Sequence, residues 1–495
     1  MVKFLMIQGT SSNAGKSSLV AAFCRIFSDK GYKVAPLKAQ NMSSNLYFTK
    51  DGLEMAKAQA IQAVAARIEP SPIMNPILLK PMGDYVSRVI LLGKMYKDMH
   101  ARHYYSSFVQ QGIQYVKQAI KKLSKYDVVV IEGAGSPAEI NIMDYDIANM
   151  RIAELVNAPV LIVGDIERGG CFASIVGTLR LLKPKHRKLV KGFIINKFRG
   201  DKAILDPALT SIKKITRKSV LGIIPFIDDI LLPYEDSLAI DLGRPRQKRI
   251  NIAIIKYPNA VNITDFEPLL SSSGALNTYY VTSSGKLSAA DLVLLPSSRN
   301  LIDDLKWMKE NRIADSARSL RSRKPVIGIC EGFAMMGKHV QIDGIGIDGL
   351  GLIDTAVYSD RKLAGNVSLM VTSGKTIVSR NGKILHAFLR RDYRVVKGRR
   401  ANPLFHILKL NGKPHRLTEG AISNDGLAFG CQLYGLFETA LIRKSVVEYL
   451  ASRKRIRVET HNMEAVEFWD RQIQRLSNIV RDNTDVEQIM KLVEP

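Results

Sequence analysis

A chain that runs from a short apolar stretch, Lys3-Phe4-Leu5-Met6-Ile7-Gln8, into Gly9-Thr10-Ser11-Ser12-Asn13-Ala14-Gly15-Lys16-Ser17-Ser18 has few folds open to it. A helical pattern follows at Leu19, Val20, Phe23, Ile26 and Phe27. Strand, glycine-bounded loop ending Gly-Lys-Ser, then helix is the layout of a phosphate-binding loop. Backbone N–H groups of the loop and of the helix start face the phosphates. Gly9, Thr10, Asn13, Ala14, Gly15, Lys16, Ser17 and Ser18 are the expected nucleotide contacts. Lys16 is placed for the terminal phosphates and the Ser17 hydroxyl for Mg²⁺. The loop departs from the usual spacing, with five residues between its glycines (Thr10 to Ala14) where four are common.

The first half continues with apolar runs at 33–37, 127–131, 159–163, 192–196 and 220–224, separated by helical stretches. Continuous apolar strands alternating with helices predict a parallel sheet covered on both faces. Functional residues then belong just past the strand ends. Polar groups fall there: Glu132 after the second of these runs, Asp165 to Gly170 after the third, Asn196 to Gly200 after the fourth. Glu132 is expected to help hold Mg²⁺, directly or through water, and Asn196 to hydrogen-bond the nucleotide base.

A polar, basic segment with Gly and Pro, residues 241–249, reads as a linker between a nucleotide-binding domain over 1–240 and a second domain over 250–444. The second domain opens with apolar runs at 250–255, 291–295 and 325–330. Short strands and a helical tail over 445–495 are expected to end the chain. In Gly328-Ile329-Cys330-Glu331-Gly332, flanking glycines permit the tight strand-to-helix turn of a nucleophile elbow. A helix N-terminus there would lower the thiol pKa, and nearby backbone N–H groups could form an oxyanion hole. A phosphate-binding domain joined to a cysteine-elbow domain suggests a glutamine-dependent amidotransferase. One half activates a carboxylate with ATP, and the other releases ammonia from glutamine.

The sequence resembles the adenosylcobyric acid synthase family of the cobalamin pathway. The long loop is similar to that of the dethiobiotin synthetase group of ATPases. More specific are residues 36–45 (PLKAQNMSSN), 74–81 (MNPILLKP), 165–174 (DIERGGCFAS), 192–201 (GFIINKFRGD) and 262–266 (NITDF). These long motifs separate the family from the related a,c-diamide synthases. The resemblance implies an α/β fold. It pairs a dethiobiotin-synthetase-like, doubly wound P-loop sheet with a class I glutamine amidotransferase-like domain. It implies ATP-dependent amidation of four peripheral carboxylates of adenosylcobyrinic acid a,c-diamide through acyl phosphates. Glutamine would be the nitrogen donor, and ATP and Mg²⁺ would be needed. Lys16, Ser17 and Glu132 match the nucleotide and Mg²⁺ positions. Lys38, Gln40, Asn41, Asp146, Asp165 and Arg168 lie in matching stretches where corrinoid or phosphate contacts are expected.

The departures from the family concern the glutaminase. The family's Gly-Thr-Tyr-Leu-His-Gly-Leu-Phe reads Gly430-Cys431-Gln432-Leu433-Tyr434-Gly435-Leu436-Phe437, so Tyr434 stands at the catalytic histidine position. A phenol with an unperturbed pKa near ~10 is a poor base at neutral pH. A second stretch, usually Gly-Tyr-Glu-Ile-His, aligns with residues 386–390 and keeps little of it. Ser297 replaces a glycine near the expected oxyanion hole, where a side chain could disturb a backbone needing positive φ. Three readings stay open. His386, His406 or His415 serves as the base; or the cysteine domain is impaired and the synthetase takes free ammonia; or the whole chain is decaying. The synthetase motifs are far better kept than the glutaminase ones, which favours the second.

Two rivals remain: a dethiobiotin-synthetase-like ligase of another substrate, and a non-catalytic ATP-binding regulator. The formal charge of +26 raises nucleic acid as a partner. The basic residues are spread along the whole chain, however, with no nucleic-acid module and no aromatic stacking series. The expectation is no nucleic-acid partner, and a diffuse basic surface also suits an acidic substrate. The four cysteines are scattered without a CxxC pair, which argues against a disulfide framework and a structural zinc site. With no membrane-length apolar stretch and no signal-peptide layout, a cytoplasmic location and no membrane partner are expected. Oligomeric state is left open, a homo-oligomer being one option.

Overall fold

The apolar runs of the first half become buried strands of one parallel sheet. The chain is described by a computed structural model over residues 2–232, 245–246, 249–372, 377–378, 382–460 and 463–493. The break expected at 241–249 lies mostly outside the described residues. The described residues cluster into two units, one drawn from 1–49, 53–235 and 468–495, the other from 50–52 and 236–467.

The first unit holds β1 (Lys3–Gly9), β2 (Val34–Leu37), β3 (Val128–Glu132), β4 (Val160–Asp165), β5 (Val190–Phe198) and β6 (Ser219–Pro225). Their order across the sheet is β2-β3-β1-β4-β5-β6, and every pairing is parallel. Side chains on both faces are buried, Met6 and Ile131 on one and Leu5 and Val130 on the other, because helices cover both sides. After β1 the chain moves out to one edge through β2, returns through β3, and then crosses to β4 on the other side. The carboxyl end of β1 is therefore the switch point of the sheet, where a ligand crevice forms. In register, Ile7 faces Glu132 and Gly9 faces Val163.

Helix α1 (Lys16–Asp29) follows β1 through the glycine loop, and helix α2 (Lys57–Ala65) packs beside it. A smaller sheet orders the strands Gln40–Met42, Ile77–Gly83, Val86–Leu91 and Lys94–His100. Residues 468–493 belong to this unit too. Arg25 of α1 donates to Asp470 and to Gln474 Oε1 (3.1 Å), and the Lys57 ammonium lies 5.3 Å from the Trp469 ring centroid. Thr484 forms a bridge with Gly222 of β6, flanked by Ile223 N–H to Asn483 O (3.1 Å) and Asp485 N–H to Leu221 O (2.8 Å). The tail expected over 445–495 thus divides. The helix Ala440–Lys454 lies in the second unit and the residues after 467 in the first.

The second unit opens with β7 (Ile250–Ile255), β8 (Leu276–Val281), β9 (Leu292–Leu295) and β10 (Val326–Ile329). These run parallel in the order β8-β7-β9-β10, and β15 (Ala428–Cys431) adds to β10, also in parallel. Between β10 and β15 come β11 (Thr355–Val371), β12 (Leu385–Lys397), β13 (Ala401–Leu410) and β14 (Lys413–Ser423), all joined antiparallel. Short strands are expected in the last hundred residues, but β13 and β14 there have 10 and 11 residues. Cross-strand pairing, rather than local pattern, sets these lengths. A two-residue strand, β16 (Leu433–Tyr434), pairs with β12. No helix among the described residues is long and apolar enough to cross a membrane.

Candidate functional site

Each unit carries one site, and both sit where a parallel strand hands over to a loop. In the first, β1 delivers the glycine loop and α1 begins at its end. Gly15 has φ +98°, a left-handed backbone that glycine alone adopts cheaply, and a Cβ there would lie 2.0 Å from Asn196 Nδ2. That same Nδ2 donates to Ala14 O at 2.9 Å, so Asn196, expected at the base, buttresses the loop. Lys197 braces it from the other side, donating to Asn13 O and to Asp165 Oδ2, both at 2.7 Å. Thr10 N–H bonds Val163 O at 2.9 Å, and a side chain at Gly9 would press on Ser11 O and Lys16. Lys16 is held by Ser11 O (2.9 Å) and Gly135 O (3.1 Å), while Ser18 is exposed.

Beneath the loop, Glu132 at the end of β3 is fully buried and accepts from four side chains. Ser17 Oγ and Lys38 Nζ reach Oε1, each at 2.8 Å. Gln59 Nε2 (3.3 Å) and Gln62 Nε2 reach Oε2. Asn41 extends the network by donating to Gln59 Oε1 at 2.8 Å. A buried carboxylate is tolerated only with such pairing. Ser17 and Glu132 offer hard oxygen donors, the type that Mg²⁺ takes. Among the described residues no cluster of three or more His, Cys, Asp or Glu is arranged to hold a metal ion. Any Mg²⁺ here would therefore lean on the nucleotide phosphates for the rest of its ligands.

The structure thus brings Lys16, Ser17, Lys38, Asn41 and Glu132 together. It places the other expected residues differently. Gln40 accepts from the Tyr104 hydroxyl at 2.5 Å. Asp146 accepts from Ala148 N–H and Asn149 N–H (2.8 and 2.9 Å), a local turn that starts the helix Met150–Leu155, and burial pushes its carboxyl pKa up. Asp165 pairs with Lys197, and Arg168 is exposed on the following loop. Sequence reasoning missed Gln59 and Gln62. Two amides three residues apart on an otherwise small and apolar helix were the available signal.

In the second unit, Cys330 follows β10 with φ +52° and ψ −113°, the strained turn of an elbow, and is 4% exposed. Gly332 is required behind it, since a Cβ there would sit 2.1 Å from Leu295 O and 2.5 Å from Pro296 O. The loop after β9 is thereby pressed against the elbow, and Ser298 N–H donates to Glu331 Oε2 at 3.2 Å. Tyr434 arrives on β16, opposite Phe388 of β12, and its hydroxyl is 3.4 Å from Asn262 Nδ2. The 262–266 motif and the two divergent glutaminase stretches therefore meet at one place.

Two expectations are corrected here. The thiol pKa is not lowered by the helix start. Burial raises it well above the ordinary value, Glu331, Cys431 and Asp265 push the same way, and Ser297 opposes them. The helix Glu331–Met335 is only five residues long, too short for much of a dipole. Ser297 does not need positive φ either, because it lies in a two-residue strand paired with Val261. His386 and His406 are exposed and His415 is half-buried, with His386 Nδ1 3.3 Å from Ser368 Oγ.

Comparison with known proteins agrees with this division. Residues 5–238 match the CobQ/CobB/MinD/ParA nucleotide binding domain, and residues 251–441 match the CobB/CobQ-like glutamine amidotransferase domain. A cobyric acid synthase of Caldanaerobacter subterraneus subsp. tengcongensis is 40% identical, covering 99% of this chain and 98% of the relative. The chain belongs to the cobyric acid synthase family. Cobyric acid synthases of Thermoanaerobacter sp. and Photorhabdus laumondii are each 39% identical over 99% of this chain and 98% of their own length. In architecture this family member is an ATP-dependent ligase of the glutamine amidotransferase type, with its nucleotide-binding domain first.

Proposed function

We propose that the chain phosphorylates peripheral carboxylates of a corrinoid, adenosylcobyrinic acid a,c-diamide, with ATP, and converts four of them to amides in cobalamin biosynthesis. It acts in the cytoplasm. The observation that carries this reading is the Glu132 network, which sets the Lys38 ammonium and the Ser17 hydroxyl 2.8 Å from one carboxylate oxygen beside the phosphate loop. Phosphoryl transfer asks the protein mainly for positioning and charge. Lys16 would swing from its carbonyl partners to the terminal phosphates. Lys38 would steady the acceptor carboxylate and the charge that develops on the transferred group. Mg²⁺ would be held by Ser17 directly and by Glu132 through water, since Glu132 Oε1 is already shared by Lys38 and Ser17, and it would neutralise phosphate charge. Asn196 and Lys197 would keep the loop in shape for the nucleotide.

The test is corrinoid-dependent ADP release by the purified chain with ATP, Mg²⁺ and a nitrogen donor. Lys38→Ala is expected to cut the rate by about 100-fold or more, with a much smaller change in ATP affinity. ADP release that ignores the corrinoid would refute the reading.

A further inference from the structure

Releasing ammonia from glutamine at a cysteine elbow makes three chemical demands. A base must take the thiol proton, the thiolate must be stable enough to form, and N–H donors must await the oxyanion. The surroundings of Cys330 work against each of them.

The side chains that act most strongly on the thiol are Glu331, Cys431, Ser297 and Asp265, none of them a histidine. Three phenols lie within electrostatic reach of it. Tyr257 donates its hydroxyl proton to Pro296 O, Tyr434 lies against Asn262, and Tyr393 sits with Arg390, Asp392 and Glu331. Burial raises the pKa of each phenol. A phenol so placed keeps its proton and cannot take one from a thiol. Two carboxylates meanwhile oppose a thiolate electrostatically.

On the oxyanion side this chain places the carboxylate of Glu331. In a nucleophile elbow, the residue after the nucleophile gives one oxyanion donor and a neighbouring loop gives the second. Here that residue is Glu331, and its carboxylate accepts from Ser298 N–H, on the loop that Gly332 lets pack against the elbow. A negative group thus takes up an N–H on the loop that would have to offer the second oxyanion donor.

We infer that the second unit does not hydrolyse glutamine and that free ammonia is the nitrogen donor of this ligase, an inference resting on the amidation proposed above. The γ-phosphoryl of ATP passes to a carboxylate oxygen, giving an acyl phosphate and ADP. The ammonia lone pair attacks the acyl carbon, the carbon–oxygen bond to phosphate breaks, and inorganic phosphate leaves with that electron pair. One proton passes from nitrogen to solvent. Carboxylate, ammonium and ATP thus become amide, ADP, phosphate and one proton, with no glutamate formed.

Two arms test this on the full chain. In the first, amide formation on the corrinoid is followed with ammonium chloride or with ammonia-free glutamine. Ammonium is expected to support product, with glutamine at least about 100-fold less effective per mole; comparable rates overturn the inference. In the second, without corrinoid, glutamate release is measured and Cys330 is examined by mass spectrometry after 6-diazo-5-oxo-L-norleucine. No glutamate and no adduct are expected; either one overturns the inference. If neither donor yields amide, the corrinoid reading fails and ammonia as donor falls with it, while the second arm still decides the glutaminase.

Discussion

At the residue scale, the two sites differ in what surrounds their key group. Glu132 is buried but fully paired, so its charge is stable and available. Glu132→Gln keeps the shape and removes the charge. It is expected to lower corrinoid-dependent ADP release by about 10²–10³-fold. Gly15→Ala should cost more than its size suggests, because the new methyl meets Asn196 on a backbone at φ +98°. With about 1–3 kcal/mol of strain, ATP affinity measured by calorimetry should fall roughly tenfold or more. At the elbow, iodoacetamide is expected to leave Cys330 unmodified at about pH 8 in the folded protein, since burial keeps the thiol protonated. Tyr434→His alone should not restore glutaminase while Glu331 holds the Ser298 N–H. The double variant Tyr434→His, Glu331→Gly is expected to gain norleucine-analogue labelling, read by mass spectrometry. Lys16, Ser17 and Glu132 were legible in the sequence because the phosphate loop and strand-end rules are local. The role of Glu331 was not, because it depends on a loop 33 residues earlier in the chain.

At the element scale, the continuous apolar runs marked the parallel strands of the first unit and β7, β9 and β10 of the second, since burial on both faces leaves no alternation to misread. Strands β8 and β15 were missed, their runs being broken by Asn277, Thr278 and Gly430. The antiparallel strands β11 to β14 were less legible, because half-exposed strands carry a weaker pattern broken by many Lys and Arg. The return of residues 468–493 to the first unit had no local sign at all. It rests on pairs such as Arg25 with Asp470, which are 445 residues apart. Arg25 is 1% exposed and also donates to Ala65 O and Val64 O. Arg25→Ala is expected to destabilise the nucleotide unit by about 2–3 kcal/mol, measured as a lower denaturant midpoint in the transition that ATP shifts.

At the scale of the whole molecule, the +26 charge is spread along the sequence instead of forming one recognition module. Retention on a DNA column is expected to be weak and to vanish by about 0.2 M salt; retention persisting above that would argue for several phosphate contacts. The first unit also has an unusual order of assembly. Its sheet and phosphate loop leave the ribosome well before Asp470 and Thr484, which bond to α1 and β6. At roughly 5–20 residues per second, α1 waits about 20–90 s for Asp470. During that interval the nascent nucleotide unit lacks the helices of residues 468–491 and a bridge to β6. A prematurely stopped message would leave a product with the phosphate loop but with Arg25 uncapped. Such fragments should be recognised by proteases, so that synthesis past Thr484 becomes the step that licenses a durable ATP site.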